Sequence, residues 1–497
     1  MKTIKRTIKI DPMTRIEGHL DIEAVVDNNN RVVEAKTKGT LYRGFEQILI
    51  GRHPVDAVQL TQRFCGVCPT PHAIASSQAL DNAFGIMPPN NGRIIRNIMQ
   101  AANYIQSHIL HFYHLASLDY YRGPDIPPFT PRYEADYRVP DTVRDKLIEH
   151  YIQAYHIRLK AHELCAIWSG KMPHMASITP GGVTIIPRID NITTSMWRAN
   201  ELTDFVDNVY IPDVITIAQI YRDYFQIGTG CKNFLSFGLF DLDSEPDVSK
   251  RKRFLPMGRI TNGKILPVDV QCIYEDVKYS WYDSASHLHP RSGETLPNPH
   301  KPGAYSWLKA PRYDGESYEV GPLARLKIAY MSATNPKINQ LINEMTKTLQ
   351  VEFEELCSVM GRHLMRALEC KIIADELKNM IMQVKLEEPV CVPHQVPESA
   401  EGMGLWEAAR GALSHWILIK NQKIARYQAI VPTTWNASPR DDKGKPGPIE
   451  QALLGTVVDD VENPFELARI VRSFDPCIAC AVHIAGVKKN VRSFRVV

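Results

Sequence analysis

Apolar and polar positions alternate in Leu20-Asp21-Ile22-Glu23-Ala24, turn at Asn28-Asn29-Asn30, and alternate again in Arg31-Val32-Val33-Glu34-Ala35, a pattern that predicts a β-hairpin near the N-terminus. Downstream the period lengthens. Over residues 92–121 Ile94, Ile95, Ile98, Ile105, Ile109, Phe112 and Tyr113 recur at helical intervals, until a Pro-rich loop over 124–140 ends the run. Helical spacing resumes over 141–169 and again over 189–225, where Pro212 predicts a break between two helices. Residues 228–322 are rich in Gly, Pro, Asp and aromatics and predict irregular loops and short strands packed over the helices. A long helical stretch follows over 336–385, and Trp416-Ile417-Leu418-Ile419 and Ala425-Arg426-Tyr427-Gln428 flank Asn421-Gln422 as a second hairpin. The expected class is therefore α+β, a predominantly helical core of long helices with β-hairpins near both ends.

Composition narrows the function rather than the fold. With 44% hydrophobic and 23% charged residues, the 497-residue chain has ample material for a large core. A net charge of +3, with the basic residues dispersed, speaks against nucleic-acid binding. No uncharged apolar stretch is long enough to span a bilayer, and residues 1–11 lack the apolar run of a secretory signal, so no membrane segment or export signal of its own is expected.

Ten cysteines are too few for a disulfide scaffold, but four of them form two Cys-x-x-Cys pairs near opposite ends of the chain, Cys65/Cys68 and Cys477/Cys480. Converging thiolates need a soft or borderline transition metal to offset their repulsion. A structural zinc knuckle usually places its pairs ~15–20 residues apart, and a redox Cys-x-x-Cys needs no distant second copy. Spacing alone leaves both readings open. If the pairs share a metal, the first and last segments meet in the core, so residues 1–483 are expected to form one interlocked unit. The other six cysteines (Cys165, Cys231, Cys272, Cys357, Cys370, Cys391) read as small core residues.

The flanks carry more information. Arg63-Phe64-Cys65-Gly66-Val67-Cys68, with His72 following, and Asp475-Pro476-Cys477-Ile478-Ala479-Cys480-Ala481-Val482-His483 resemble the two signature motifs of the large subunit of nickel–iron hydrogenases. Arg15-Ile16-Glu17-Gly18-His19, Tyr42-Arg43-Gly44-Phe45-Glu46, Gly321-Pro322-Leu323-Ala324-Arg325, Arg410 to Trp416 and Val431 to Asn436 resemble the same family in consistent order.

The resemblance implies the hydrogenase large-subunit fold and reversible heterolysis of dihydrogen. It implies a nickel bound by four thiolates, Cys65 and Cys477 terminal, with Cys68 and Cys480 bridging to an iron that carries carbon monoxide and cyanide. Cys477 or Arg410 would serve as base, and Glu17 as proton relay from the terminal thiolate. Arg63 and Asp475 are expected near the centre, where an ion pair fixes ligand orientation. His72 would donate toward a bridging sulfur, and Pro432 and Thr433 would line the diatomic ligands. Glu46, the carbonyl of Ala429 and His483 would hold magnesium, calcium or a further iron. His108, His111 and His114 are spread around their helix and read as structural.

Two departures from the family pattern, Ser107 before His108 and Ala409 before Arg410, are expected to loosen Arg410. Selenium-containing relatives carry selenocysteine at the position of Cys477, where this chain has sulfur. Residues 484–497 extend past His483; in the family a dedicated endopeptidase cuts after this His, here between His483 and Ile484, once nickel-insertion proteins have acted. The chain has no further Cys clusters to carry electrons, so an iron–sulfur small subunit is implied as obligate partner. Such partners often bear a twin-arginine signal, which implies a periplasmic site or the outer face of the cytoplasmic membrane, with the cytoplasm as alternative. Rival readings are a hydrogen sensor of the same fold, the quinone-reducing subunit of respiratory complex I, and a zinc-structured scaffold.

Overall fold

The computed structural model describes residues 6–132 and 134–481. Its first sheet is antiparallel, β1 (Arg6–Ile10), β2 (Leu20–Val26) and β3 (Val32–Gly39) in that order. The expected hairpin is β2–β3, with Ala24 opposite Ala35 and Ile22 opposite Thr37, and β1 extends it by a strand that was not expected. Leu20, Ile22, Ala24 and Val26 all point inward, as a period of two requires.

After α1 (Phe45–Leu49) and α2 (Asp56–Thr61), the longer helices α3 (Pro69–Phe84), α4 (Asn90–Leu110), α5 (Asp141–Ser169), α6 (Ile189–Phe205) and α7 (Ile211–Ile220) follow. α5 has the expected bounds because Pro140 precedes it and left-handed Gly170 caps it. At Pro212 the expected break is a softer event. The chain widens into a π-helical turn, Val206–Tyr210, and continues into α7, the wider turn accommodating the ring and missing N–H of Pro212.

Residues 228–322 form short antiparallel pairs, such as Phe234–Ser236 with Gly258–Thr261 and Ile273–Asp276 with Ala310–Tyr313. Their aromatics lie over the N-terminal segment, Trp307 stacking on Tyr42 at 4.8 Å. Next come α8 (Pro322–Ser332), α9 (Pro336–Leu349) and α10 (Val359–Gln383). The single stretch expected over 336–385 is thus two helices. Left-handed Gln350 ends α9, and the Ser358 side chain accepts from the Gly361 amide to start α10.

The second expected hairpin is the last two strands of another three-stranded sheet, β4 (Ser399–Ala408), β5 (Gly411–Lys420) and β6 (Lys423–Ile430). Asn421 and Gln422 both have positive φ, the type I′ geometry that suits a two-residue connection. Short helices α11 (Pro432–Asn436), α12 (Pro448–Leu453), α13 (Phe465–Ser473) and α14 (Ile478–Ala481) close the chain. One continuous apolar cluster runs from Ile8 to Ala481 and contains all four paired cysteines. Cys165, Cys231, Cys357 and Cys370 are buried, and Cys272 and Cys391 half-buried, each unpaired.

A fully buried ionic group locks α8, α10 and β4 together. Arg325 donates to both oxygens of Glu369 at 2.6 and 2.7 Å, to Glu407 at 2.5 Å, and to the carbonyls of Ala408 and Ala409 at 3.0 and 2.8 Å. Against the upward pull of burial, Arg325 holds Glu369 down at about 2, whereas burial pushes Glu407 up to about 7. Removing one member of such a group leaves an uncompensated buried charge. Arg325→Met is expected to destabilise the chain by about 3–5 kcal/mol, read as a lower denaturant midpoint.

Candidate metal centre

The first pair is set by two abrupt changes of backbone. After a tight turn over Gln62–Phe64, Cys65 is extended, and Cys68 caps α3, whose first residue is Pro69. The Val67 amide donates to Cys65 Sγ at 3.2 Å, while Asn103 and Gln106 of α4 donate to the Val67 carbonyl at 3.2 and 2.9 Å. The loop is thereby held from inside and outside.

The second pair reaches the site by pairing with the N-terminal segment. Glu17 and Cys477 form a parallel bridge, in which the Ile478 amide donates to the Glu17 carbonyl at 2.7 Å and the Glu17 amide to Pro476 at 3.2 Å. Gly18 permits this approach: a Cβ there would lie 2.5 Å from the Ala479 nitrogen. Cys477 Sγ then lies 3.5 Å from Cys65 Sγ and 3.0 Å from Cys480 Sγ, and Cys68 Sγ lies 3.0 Å from Cys480 Sγ. All four sulfurs are within 4.8 Å of one another and buried. Hydrogen bonds from Cys477, Cys480 and Cys68 draw the Cys65 thiol well below its ordinary range, and burial pushes Cys477 and Cys480 up. Burial thus opposes negative charge at the cluster, and a bound cation would offset it.

Charged and polar groups surround it. Glu17 Oε2 lies 3.3 Å from Cys477 Sγ and accepts the Ala479 amide at 3.2 Å. Burial, then the charge at Cys65, raises its pKa. Arg410, in the turn between β4 and β5, donates through Nε to the Asp475 carbonyl and through Nη2 to the Asp475 carboxylate, both at 2.9 Å. The expected loosening by Ser107 and Ala409 is countered by this pairing. Among the described residues, Arg410 Nη1 and Asp475 Oδ2 are buried without a protein partner. Arg63, by contrast, is exposed and donates to the Gln59 carbonyl at 3.2 Å, so the ion pair beside the sulfurs is Arg410–Asp475. Thr433, next to Pro432 at the start of α11, accepts the Cys477 amide through Oγ1 at 2.9 Å and keeps its own O–H to donate. His72 Nδ1 faces His415 Nε2 at 3.2 Å, and His415 Nδ1 meets the Tyr427 hydroxyl at 2.7 Å.

Comparison with known proteins gives this geometry a family. The nickel-dependent hydrogenase family matches residues 43–126 and 121–483, and a HoxL-like family matches residues 7–38. The periplasmic [NiFeSe] hydrogenase large subunit of Desulfomicrobium baculatum is 43% identical over 97% of this chain and 95% of its own length. The chain belongs to the nickel-dependent hydrogenase family. The quinone-reactive Ni/Fe-hydrogenase large chain of Wolinella succinogenes is 34% identical over 98% of this chain and 97% of its own. Among solved structures, the Ni-Fe-Se hydrogenase of D. vulgaris Hildenborough in the reduced state matches with a TM-score of 0.91 at 44% identity, covering 97% of this chain and 100% of that one.

The residues present fit the nickel and iron of a hydrogenase. Four soft donors converge, and the buried charge of Arg410 lies close enough to interact with Cys477, Cys68 and Cys65. Of the proposed second cation site, Glu46 is buried and accepts the Ala429 amide at 3.1 Å and the Thr295 hydroxyl, while His483 and Ile484 lie outside the described residues. His108, His111 and His114 bond separate partners, Glu369 at 2.9 Å, the Arg472 carbonyl at 2.7 Å and the Tyr151 carbonyl at 3.1 Å, as their structural reading requires. Arg325 and His415 lie in the motifs that carry the resemblance but have no role assigned from sequence, and Tyr427 reads there only as part of a hairpin; the structure gives each a buried partner. Charged residues on the buried face of α10, Arg362, Arg366 and Glu369, were the available signal. Because burial keeps Cys477 and Cys480 protonated, metal loading releases protons and weakens as pH falls. Cys68→Ser is expected to remove bound nickel, measured by elemental analysis, and loading at lower pH to reduce it.

Proposed function

We propose that this chain is the catalytic large subunit of a NiFe hydrogenase, which splits dihydrogen reversibly into two protons and two electrons. The observation that carries the reading is one buried point shared by four thiols, a carboxylate 3.3 Å from Cys477 and a guanidinium with an unshared N–H. When bound by Cys65, Cys68, Cys477 and Cys480, nickel and iron supply the Lewis-acidic, redox-active chemistry that so weak an acid needs. On the family pattern Cys65 and Cys477 would hold nickel alone, Cys68 and Cys480 would hold both nickel and an iron carrying carbon monoxide and cyanide, and Pro432 and Thr433 would line those diatomic ligands.

Cys477 Sγ takes the proton and Glu17 Oε2 receives it next. Burial, then the charge at Cys65, raises the Glu17 pKa, which makes that carboxylate a better proton acceptor than an exposed one. Arg410 stays protonated: burial opposes its charge, but Asp475 and then Cys477, Cys68 and Cys65 more than offset this. Its part is to keep a positive charge beside the sulfurs, which makes Cys477 the base. Glu46, the Ala429 carbonyl and His483 hold magnesium, calcium or a further iron. Residues 1–483 form the catalytic unit, and an endopeptidase removes 484–497 after nickel insertion. Electrons pass to an iron–sulfur small subunit in an obligate heterodimer. Among the described residues no helix is long and apolar enough to cross a membrane. A periplasmic relative supports export with that partner, and relatives named for hydrogen uptake favour an enzyme over a sensor.

Infrared spectra of the purified complex are expected to show carbonyl and cyanide stretching bands; their absence together with stoichiometric zinc would falsify the reading. Glu17→Gln is expected to retain nickel and iron but slow hydrogen–deuterium exchange by about 10²–10⁴-fold. Wild-type exchange in that variant would remove Glu17 from the proton route.

A further inference from the structure

Between β3 and α1 stands Arg43, to which the hydrogenase reading assigns no part. Its side chain reaches both cysteine-bearing segments. Nη2 donates to the carbonyl of Phe64 and to the carbonyl of Ala479, and Nη1 donates to the carbonyl of Arg63 at 3.2 Å. Those first two carbonyls belong to the peptide planes that lead into Cys65 and Cys480. One planar group is therefore bonded to the backbone immediately before a cysteine of each pair, although the bonded segments lie at opposite ends of the chain.

The guanidinium is itself fixed. It lies over the Phe45 ring with 4.9 Å between its carbon and the ring centroid, and Phe45 packs edge-on against Phe64 at 4.9 Å. Phe64 in turn packs edge-on against His72 at 4.8 Å. Three residues after Arg43, the buried Glu46 accepts the Ala429 amide, so the same short segment is tied to β6. An arginine suits this place because its rigid fork serves several acceptors in one plane, whereas a lysine offers a single nitrogen on a flexible stem.

We propose that Arg43 is a positioning residue that cross-ties the two Cys-x-x-Cys segments and sets how closely the sulfurs of one pair approach those of the other. The tie to Ala479 exists only when the C-terminal segment lies in place, so Arg43 holds the site closed rather than building either half of it. Its effect passes through the peptide planes before Cys65 and Cys480, in the manner of outer groups that orient metal ligands.

The test uses the full-length chain purified with its iron–sulfur partner, as wild type, Arg43→Lys and Arg43→Gln. Lysine keeps the charge and loses the fork; glutamine keeps one amide donor and loses the charge. Both variants are expected to melt and assemble as wild type, to lose nickel to a chelator about 10-fold faster or more, and to show shifted or broadened carbonyl and cyanide bands. Wild-type nickel retention and bands in Arg43→Lys would show that charge alone suffices and overturn the cross-tie. Early melting or failed assembly of the variants would equally overturn it, since Arg43 would then support the whole fold. The spectroscopic arm rests on the hydrogenase reading. If the wild type shows no such bands that reading fails, while the chelator comparison, made on whatever metal the wild type holds, still decides the role of Arg43.

Discussion

Mutual repulsion among four buried sulfurs is the constraint to which the rest of the chain answers. Within 4.8 Å and out of water, their negative charges cannot accumulate without neighbouring cations to offset them. Arg410 supplies a permanent positive charge beside them, Asp475 fixes that guanidinium, and Arg325 fixes the turn that bears it through the Ala408 and Ala409 carbonyls. Each shell exists to hold the one inside it. A buried arginine with two carboxylates would be poor value as a source of stability alone; its place under the Arg410 turn gives it a geometric purpose.

Two polar groups flank the sulfurs and differ in what they can do with a proton. Arg410 is enclosed and cannot release one, whereas Glu17 is only partly buried and carries a carboxyl shifted upward. On the proposed mechanism this asymmetry would give proton traffic a direction, away from the guanidinium and toward the N-terminal segment. The same backbone that carries Glu17 also seats Cys477 through the parallel bridge, so ligand placement and proton acceptance depend on one local structure.

Local pattern made much of this legible. The 29-residue α5 was readable because Pro140 and Gly170 punctuate it, and Asn421-Gln422 announced the β5–β6 turn. β4 was not readable, because Gly402 and Gly404 dilute its alternation. They are there to let the strand lie against α3, where a Cβ at Gly404 would meet the Ala75 carbonyl at 2.0 Å. The cysteines, Glu17 and Arg410 stood out through their motifs. Their partners did not, since Arg63 and Asp475 looked equally suited to pair, and only the folded chain turns Arg63 outward and brings Arg410 to Asp475. Long-range hydrogen bonds such as those of Arg43 leave no trace in periodicity, because a period describes one element and these bonds join several.

The parallel bridge between Glu17 and Cys477 also has a consequence in time. Cys65 and Cys477 are separated by 412 positions, and at about 5–20 residues per second a ribosome needs roughly 20–80 s to make the chain between them. For that interval Cys65 and Cys68 exist without the thiols that complete their cluster. A site assembled from the earliest and latest parts of the chain therefore begins life as two exposed halves. It needs a reducing surrounding until synthesis ends, whatever compartment the finished protein later occupies.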